Sequence, residues 1–224
     1  MPERFPPKSG GVFCGRTAEG PELYQTGGGL GLSTPVRRTF TDPHGETAET
    51  MTDARSHSLY RVLFVCTGNT CRSPMAEGIL RKLVADSGAD DALVESISAG
   101  TMGMVGMPAT QKAIDVSAEY GVDIHNHVSQ GATRKLLYNA DLVLALAADH
   151  HEYCRDLDVP PEKVYLLRAF PQHTDRLQEM SVPDPIGQDR SVYQKAFFQI
   201  DEALRQSLPE IIKRARAKTG QSGQ

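Results

Sequence analysis

The chain has 224 residues, and its 24 Lys and Arg against 28 Asp and Glu leave a formal net charge of −4. Proteins that bind nucleic acids or anionic membranes present basic patches, so this acidic balance indicates neither class of partner. The longest wholly apolar run, residues 142–148, has seven residues, whereas a membrane helix needs about 20. The N-terminal residues also lack the apolar stretch of a secretory signal. We therefore expect a cytoplasmic protein without a membrane-spanning segment.

The cysteine and aromatic content narrows the fold class. Four cysteines, Cys14, Cys66, Cys71 and Cys154, are too few for a disulfide scaffold in a chain of this length. In the cytosol, such thiols are mostly catalytic or incidental. Trp is absent and aromatic residues make up only 6% of the chain, so the core must consist of Leu, Val, Ile and Ala. This composition is typical of an α/β domain.

The N-terminal segment differs in composition from the rest of the chain. Residues 1–50 hold 9 of the 20 Gly and 6 of the 14 Pro and show no sustained hydrophobic period. Such a segment buries too little apolar surface to offset its ordering entropy. We predict a disordered tail over residues 1–58 and one domain over residues 59–218. A second reading is that translation begins at Met51, which would make residues 1–50 an annotation artefact.

From Tyr60 onward, short apolar runs alternate with helical patterns. The runs, at residues 62–65, 93–97, 142–146 and 164–167, are typical of strands buried on both faces. Helices are predicted over residues 74–85, with Ser73 as N-cap and Pro74 in the first position, and over residues 108–120 and 189–206. Pro209 predicts a break, and the capping-box spacing of Ser207 and Glu210 predicts a short terminal helix.

This alternation predicts a single doubly wound α/β domain, with a mostly parallel sheet and helices on both faces. Ligands of such folds bind at the carboxyl ends of the strands. The loop after the first strand, residues 66–73, reads CTGNTCRS and leads into a predicted helix. Its backbone N–H groups and the helix N-terminus would surround a tetrahedral oxyanion.

The same donors would stabilise a thiolate at Cys66 and lower the pKa of its thiol, so that Cys66 becomes a nucleophile. Arg72 offers two parallel N–H donors to phosphate oxygens. A lone cysteine at a strand end is more often an inert core residue, and a lone arginine is usually a surface charge. Their joint occurrence around a glycine-containing loop favours the catalytic interpretation.

The cysteines and histidines of the chain do not form the pattern of a metal site. Cys66 and Cys71 are not followed by a second Cys or His pair at ligand spacing, which disfavours a zinc site. The histidines His125, His127, His150 and His151 are predicted to lie on the surface or in loops. We expect no metal and no cofactor.

Residues 66–73, extended by Pro-Met-Ala-Glu at 74–77, resemble the signature of the low-molecular-weight protein-tyrosine-phosphatase family. Residues 98–101, 140–144 and 182–185 also match in order, so the resemblance covers about residues 60–216. It implies a four-stranded parallel sheet flanked by helices. It also implies Cys66 as nucleophile, Arg72 as phosphate clamp and Asp184 as general acid and then general base. The phosphate-binding residues it implies are Thr67, Gly68, Asn69, Thr70, Cys71 and Ser73, with Asn69 bracing the loop and Ser73 donating a hydrogen bond to Cys66.

Asp184 is also supported by its local sequence. An Asp before a Pro, in a segment without periodicity, is held in an extended loop. A phosphate ester or phosphoramidate leaving group needs a proton, and general acid catalysis is typically worth about 100- to 10,000-fold. Asp-Pro alone more often marks an ordinary turn. Beside a Cys-Arg loop, however, Asp184 is the best-placed carboxylic acid.

Two positions bear on the substrate, a phosphorylated protein side chain. Family members that act on phosphotyrosine usually carry an aliphatic residue at the position of Thr70 and an aromatic residue after the Asp-Pro, where this chain has Ile186. Thr70 resembles the protein-arginine-phosphatase branch, and its hydroxyl gives a more polar wall that suits a guanidinium. Ile186 argues against ring stacking, but it also departs from a Phe of arginine phosphatases. We place phosphoarginine ahead of phosphotyrosine.

Two other functions were weighed against a phosphatase. Thioredoxin-coupled arsenate reductases share the fold but need two further cysteines seven apart after the third strand, where this chain has Ala147 and Cys154. We therefore expect Cys154 to pack in a helix. A non-catalytic phosphate-binding module is disfavoured because the catalytic set is complete. Cys66 and Cys71 in one loop predict a redox-sensitive pair that forms a reversible disulfide. The sequence leaves the oligomeric state open.

Overall fold

The computed structural model describes residues 59–88 and 93–220, so the predicted tail and Met51 lie outside the described residues. The strands are β1 Tyr60–Cys66, β2 Val94–Gly100, β3 Leu142–Ala145 and β4 Val164–Leu166. The helices are α1 Arg72–Asp86, α2 Gln111–Glu119, α3 Arg134–Asn139, α4 Ala148–Asp156 and α5 Arg190–Thr219, and a 3-10 turn, Pro161–Lys163, precedes β4. The predicted strands and the first two predicted helices are therefore confirmed to within a few residues, whereas the last helix extends well beyond residue 206 and no bounds were predicted for α3 and α4.

The four strands form one parallel sheet in the order β2-β1-β3-β4. Strand β1 is central, and residues 62–65 are fully buried because helices cover both faces. Val62 and Phe64 pack into a core with α1 and α5, whereas Leu63 and Val65 pack on the opposite face with residues of α3 and α4. This alternation confirms the doubly wound α/β fold and places the end of β1 at the centre of the carboxyl edge.

Helix α1 begins differently from the prediction. Its N-cap is Cys71, without a side-chain capping hydrogen bond, and Arg72 is its first residue. Ser73 is therefore not the N-cap, and Pro74 is the third residue of the helix, not the first. The Ser73 hydroxyl contacts the sulfur of Cys66 and accepts from the amide of Asn69 instead. Pro74 still lies in the first turn, where helix N–H groups have no intrahelical acceptor.

The predicted break at Pro209 is wrong, because α5 continues through this residue to Thr219. Ser207 does not cap a new helix but donates its hydroxyl to the Ala203 carbonyl at 2.6 Å. A proline inside a helix costs about 3 kcal/mol. Full burial of one large aliphatic side chain stabilises the fold by about 1.5–3 kcal/mol and therefore helps to offset this cost. The stripe of buried residues continues on both sides of the proline and includes Ile200, Leu204, Ile211 and Ala215.

The end of β2 lies directly against residues 66–73, which we call the cysteine loop. The amide of Thr101 donates to the Cys66 carbonyl at 2.9 Å, and the amide of Met102 donates to the Thr67 carbonyl at 3.0 Å. A Cβ added to Gly100 would lie 2.7 Å from the Thr67 carbonyl oxygen and 2.9 Å from the Asn69 amide nitrogen. Glycine is therefore required at this position by close backbone approach.

Among the residues described, no helix has the length and apolar character needed to cross a membrane.

Replacing Pro209 by alanine is expected to raise the free energy of unfolding by about 1–3 kcal/mol, because alanine restores an amide donor inside α5. Urea denaturation measures the change. Pro161→Ala is the matched control, since Pro161 is the first residue of its turn and needs no donor there. An unchanged or lower stability of Pro209→Ala would show that the helix bears no cost at this residue.

Replacing Gly100 by alanine should displace the cysteine loop and lower the free energy of unfolding by about 1–3 kcal/mol, because the new methyl group overlaps rigid backbone. Hydrogen exchange at the Thr101 and Met102 amides should become faster. Gly68→Ala is the comparison for stability, because its Cβ would make only ordinary contacts at 3.5 Å. Wild-type protection of both amides in Gly100→Ala would contradict this interpretation.

Candidate active site

The cysteine loop is held in shape by the buried side chain of Asn69. Its backbone adopts a left-handed conformation with φ of 55°, which asparagine tolerates better than most residues. The side-chain amide donates to the Ser73 hydroxyl at 2.9 Å and to the Ser98 hydroxyl at 2.8 Å. Its oxygen accepts from the backbone amide of Gln130 at 2.9 Å. Asn69 therefore joins the loop to α1, to β2 and to the segment that precedes α3.

The sulfur of Cys66 lies inside this loop. It is 2.9 Å from the Ser73 hydroxyl and accepts a hydrogen bond from the Asn69 amide at 3.3 Å. Burial raises the pKa of the Cys66 thiol, although the hydrogen bonds from Ser73 and Asn69 and the charge of Arg72 act in the opposite direction. The expectation of a lowered pKa is therefore wrong, because desolvation of this buried residue, which is 2% exposed, outweighs the effect of its hydrogen-bond donors.

Arg72 links the loop to a distant part of the chain. Its guanidinium, buried beneath the cavity, donates to the Val182 carbonyl at 3.1 Å and to the Thr67 hydroxyl at 3.0 Å. It also forms an ion pair with Asp184 at 2.5 Å. The other Asp184 oxygen accepts from the Ile186 amide at 3.1 Å. Cys66, Arg72 and Asp184 therefore meet at one site although Asp184 is 112 residues from Arg72 in the chain.

A cavity of about 200 Å³ opens above the loop. Seven of the nine predicted site residues line it: Cys66, Thr67, Gly68, Thr70, Cys71, Arg72 and Asp184. The other two, Asn69 and Ser73, do not line it, because their side chains are fully buried behind the loop. The remaining lining residues are Met102, Met104 and Ile186, so no aromatic ring lines this cavity among the described residues. The sequence did not single out the two methionines.

Two histidines that were expected in loops or on the surface contact the cysteine loop. His150 is fully buried, and its Nε2 lies 2.9 Å from the Thr67 hydroxyl. Burial, together with the nearby charge of Arg72, lowers the pKa of His150 to about 4, so its imidazole is neutral at neutral pH. His127, which is half-buried, has its Nε2 2.7 Å from the Asn69 carbonyl oxygen. The sequence could have indicated the contact of His150 with the loop, because this residue follows β3 at the carboxyl edge of the sheet.

The other two cysteines of the described residues, Cys71 and Cys154, have different surroundings. Cys154 is fully buried in α4, as expected, and burial raises the pKa of its thiol to about 12. The sulfur of Cys71 contacts the hydroxyls of Thr110 at 3.4 Å and Tyr193 at 3.6 Å. Within residues 59–88 and 93–220, no cluster of three His, Cys, Asp or Glu side chains is arranged to hold a metal ion.

Comparison with known proteins finds phosphatases in each case. The family model for low molecular weight phosphotyrosine protein phosphatase matches residues 61–218. The chain is 33% identical over 155 residues to the protein-arginine-phosphatase of Bacillus subtilis, covering 68% of this chain and 97% of that protein. It is 37% identical over 144 residues to low molecular weight protein-tyrosine phosphatase A of Mycobacterium tuberculosis, covering 64% and 86% respectively.

A solved structure of YwlE arginine phosphatase, a cysteine-to-serine variant with a phosphorylated active-site serine, is also similar. It has a TM-score of 0.60 and 31% identity, covering 70% of this chain and 99% of that one. Because the family model spans most of the chain and the fold agrees with that of its relatives, this chain belongs to the low molecular weight phosphotyrosine protein phosphatase family of cysteine-dependent phosphatases.

Proposed function

We propose that this protein hydrolyses a phosphorylated protein side chain through a phosphocysteine on Cys66, with phosphoarginine preferred over phosphotyrosine. The observation that carries the proposal is the meeting of Cys66, Arg72 and Asp184 around one cavity. These residues supply a nucleophile, a bidentate cationic ligand for the phosphoryl group and a proton donor. The proposed partner is a phosphorylated protein, and we expect no binding to nucleic acid or to a membrane. The cytoplasmic location stays a prediction.

In the first step, the Cys66 thiolate attacks phosphorus while the bond from phosphorus to the leaving oxygen or nitrogen breaks. Protonated Asp184 gives its proton to that leaving atom. The thiolate form is favoured by the Ser73 hydroxyl, the Asn69 amide and the Arg72 charge, which oppose the cost of burial. In the second step, the Asp184 carboxylate takes a proton from water, which attacks the phosphocysteine and releases phosphate and the thiolate. The phosphorylated serine named for the YwlE variant is consistent with this covalent route.

The pairing of Arg72 with Asp184 gives a means of coupling substrate binding to acid catalysis. In the structure, the guanidinium donates to the Asp184 carboxylate at 2.5 Å. An incoming phosphoryl group carries more negative charge than a carboxylate, so it competes for the same N–H donors. Its binding would release Asp184 to face the leaving group, and Arg72 would keep its bond to the Val182 carbonyl.

The acceptors in the cavity support the proposed preference for phosphoarginine. A phosphorylated guanidinium retains N–H donors that need acceptors when it is desolvated. Thr70 and Asp184 both line the cavity and both carry oxygen acceptors. The 33% identity to the Bacillus protein-arginine-phosphatase supports the same choice.

Phosphotyrosine is the second candidate, and a separate observation favours it. Met102, Met104 and Ile186 line the cavity on its apolar side. Methionine sulfur makes favourable contacts with aromatic rings. A phenyl ring would therefore find an apolar wall here even though no aromatic side chain is present to stack on it.

We also propose that Cys71 protects Cys66 by forming a reversible disulfide with it under oxidation. The two thiols belong to one loop, and an accessible second cysteine diverts a sulfenic acid from irreversible oxidation. In the reduced protein, the Cys71 sulfur contacts Thr110 and Tyr193, and the Cys66 sulfur contacts Ser73. Formation of the disulfide therefore requires both side chains to leave these contacts.

Cys66→Ser should abolish turnover while the protein still binds inorganic phosphate. No phosphocysteine can form, and even a phosphorylated serine, as named for the YwlE variant, would release phosphate poorly because an alkoxide is a worse leaving group than a thiolate. Release of phosphate from phosphopeptides and calorimetric titration of phosphate measure the two effects. Cys154→Ser is the control, because Cys154 lies in α4 outside the cavity. Turnover near the wild-type rate in Cys66→Ser would remove Cys66 as the nucleophile.

Asp184→Asn should slow hydrolysis most for substrates with poor leaving groups, by about 100- to 10,000-fold, because only those depend on protonation in the transition state. A series of aryl phosphates with different leaving-group acidity measures this dependence. Asp189→Asn is a matched control near the start of α5, since Asp189 does not line the cavity. A uniform loss across the series would indicate a structural role for Asp184.

Thr70→Ile should lower hydrolysis of phosphoarginine peptides by roughly tenfold or more, because an apolar side chain leaves guanidinium donors unpaired. Hydrolysis of phosphotyrosine peptides should hold or rise. The ratio of the two kcat/KM values, measured side by side in wild type and variant, tests the assignment. Thr110→Val provides a control hydroxyl outside the cavity lining. Equal changes for both substrates would give precedence to phosphotyrosine.

A further inference from the structure

A chain of two hydrogen bonds connects α4 to the phosphate site. The Arg72 guanidinium donates to the Thr67 hydroxyl at 3.0 Å. The same hydroxyl lies 2.9 Å from Nε2 of His150, with one proton between the two atoms whichever of them carries it. Thr67 lines the cavity, whereas His150 is fully buried beyond it. The hydrogen bond to Thr67 therefore connects the imidazole to the lining of the cavity.

Fold stability alone does not account for a histidine at this position. Burying a polar imidazole costs free energy unless its nitrogens are paired. Nε2 contacts Thr67 and, at 3.5 Å, the Asp149 carboxylate, whereas Nδ1 has no hydrogen-bond partner among the described residues. Burial and the Arg72 charge keep the ring neutral, against the weaker opposite effects of Asp149 and Asp184. An apolar side chain would fill this space at a lower desolvation cost.

We propose that His150 is a positioning residue of the phosphate site, which fixes the Thr67 hydroxyl so that Thr67 in turn fixes the Arg72 guanidinium. The inference rests on the proposed function, because it takes Arg72 as the ligand of the phosphoryl group. In the structure, Arg72 is held by the Val182 carbonyl, the Thr67 hydroxyl and Asp184. When a phosphoryl group displaces Asp184, only the first two of these contacts remain.

Loss of the His150 contact therefore matters most in the occupied site. Without its partner, the Thr67 hydroxyl is free to turn about its Cα–Cβ bond toward the ligand or the solvent. Arg72 would then be held by one backbone carbonyl and would sample orientations that do not present two parallel donors. Bidentate geometry is the source of the strength and specificity of arginine–phosphate pairs. A small misplacement of such a group is enough to slow catalysis.

The test is a double-mutant cycle between His150 and Thr67, with inorganic phosphate as the ligand. His150→Leu removes the hydrogen bond at similar volume, and Thr67→Val removes the hydroxyl while keeping the shape. Each single variant should weaken phosphate binding, measured by calorimetry, and lower kcat/KM for phosphopeptides by roughly tenfold. The double variant should lose no more phosphate affinity than either single variant, because both changes break the same chain of hydrogen bonds from His150 through Thr67 to Arg72.

Two further variants separate positioning from a structural role. His150→Gln, whose amide reaches about as far as Nε2, should restore part of the phosphate affinity. His151→Leu is the matched control, because this neighbouring histidine of α4 lines a different cavity. The free energy of unfolding of His150→Leu should equal or exceed that of wild type. If His150→Leu does not fold, the cycle is completed with His150→Gln, whose smaller loss should vanish in the Thr67→Val background.

Additive losses in the double variant would overturn the inference, as would unchanged phosphate affinity in His150→Leu. A loss of affinity that only follows a loss of stability would overturn it too. Failure of the proposed function has a different signature. In that case, the wild-type protein would bind phosphate but would hydrolyse neither phosphoarginine nor phosphotyrosine peptides, and the cycle on phosphate affinity would still decide the role of His150.

Discussion

The site depends on the burial of one amide side chain. Asn69 holds the cysteine loop in a left-handed turn and bonds to Ser73, Ser98 and Gln130. Ser98 also donates to Glu77 of α1 at 2.6 Å, so the network ties the loop to both flanking elements. Because a buried amide left unpaired is costly, loss of one of these contacts would weaken the others. Under the proposed function, this network would hold the donors of the loop in place for the transition state.

Arg72 interacts with groups of opposite chemistry on its two sides. Its charge favours a thiolate at Cys66, and its guanidinium is also paired with Asp184. Burial nevertheless raises the pKa of the Cys66 thiol, although the hydrogen bonds with Ser73 and Asn69 and the charge of Arg72 act in the opposite direction. A buried arginine without an anionic partner would be unfavourable. Asp184 is the anionic partner of the guanidinium in the structure, and under the proposed function its exchange for a phosphoryl group would link binding to catalysis.

The cavity combines two surfaces with different chemistry. Its floor consists of the cysteine loop, where Thr67 and Thr70 present hydroxyls, and its rim includes Met102, Met104 and Ile186. Polar groups at the floor discriminate strongly between ligands, because a mismatched partner leaves buried donors or acceptors unpaired. Apolar rim residues discriminate weakly and accept side chains of several shapes. Selection among phosphorylated residues is therefore expected to reside in the loop.

The amino-acid sequence by itself was enough to predict the strands, the loop after β1, Asp184 as a candidate acid and the family. These predictions depend on local hydrophobic pattern and on short motifs of residues adjacent in the chain. Tertiary structure alone decided the rest. The contact between His150 and Thr67 joins residues 83 positions apart, and such contacts leave no periodic signal. The continuity of α5 through Pro209 and the raised pKa of Cys66 were likewise decided by burial, since packing outweighs a local helix breaker and desolvation outweighs local donors.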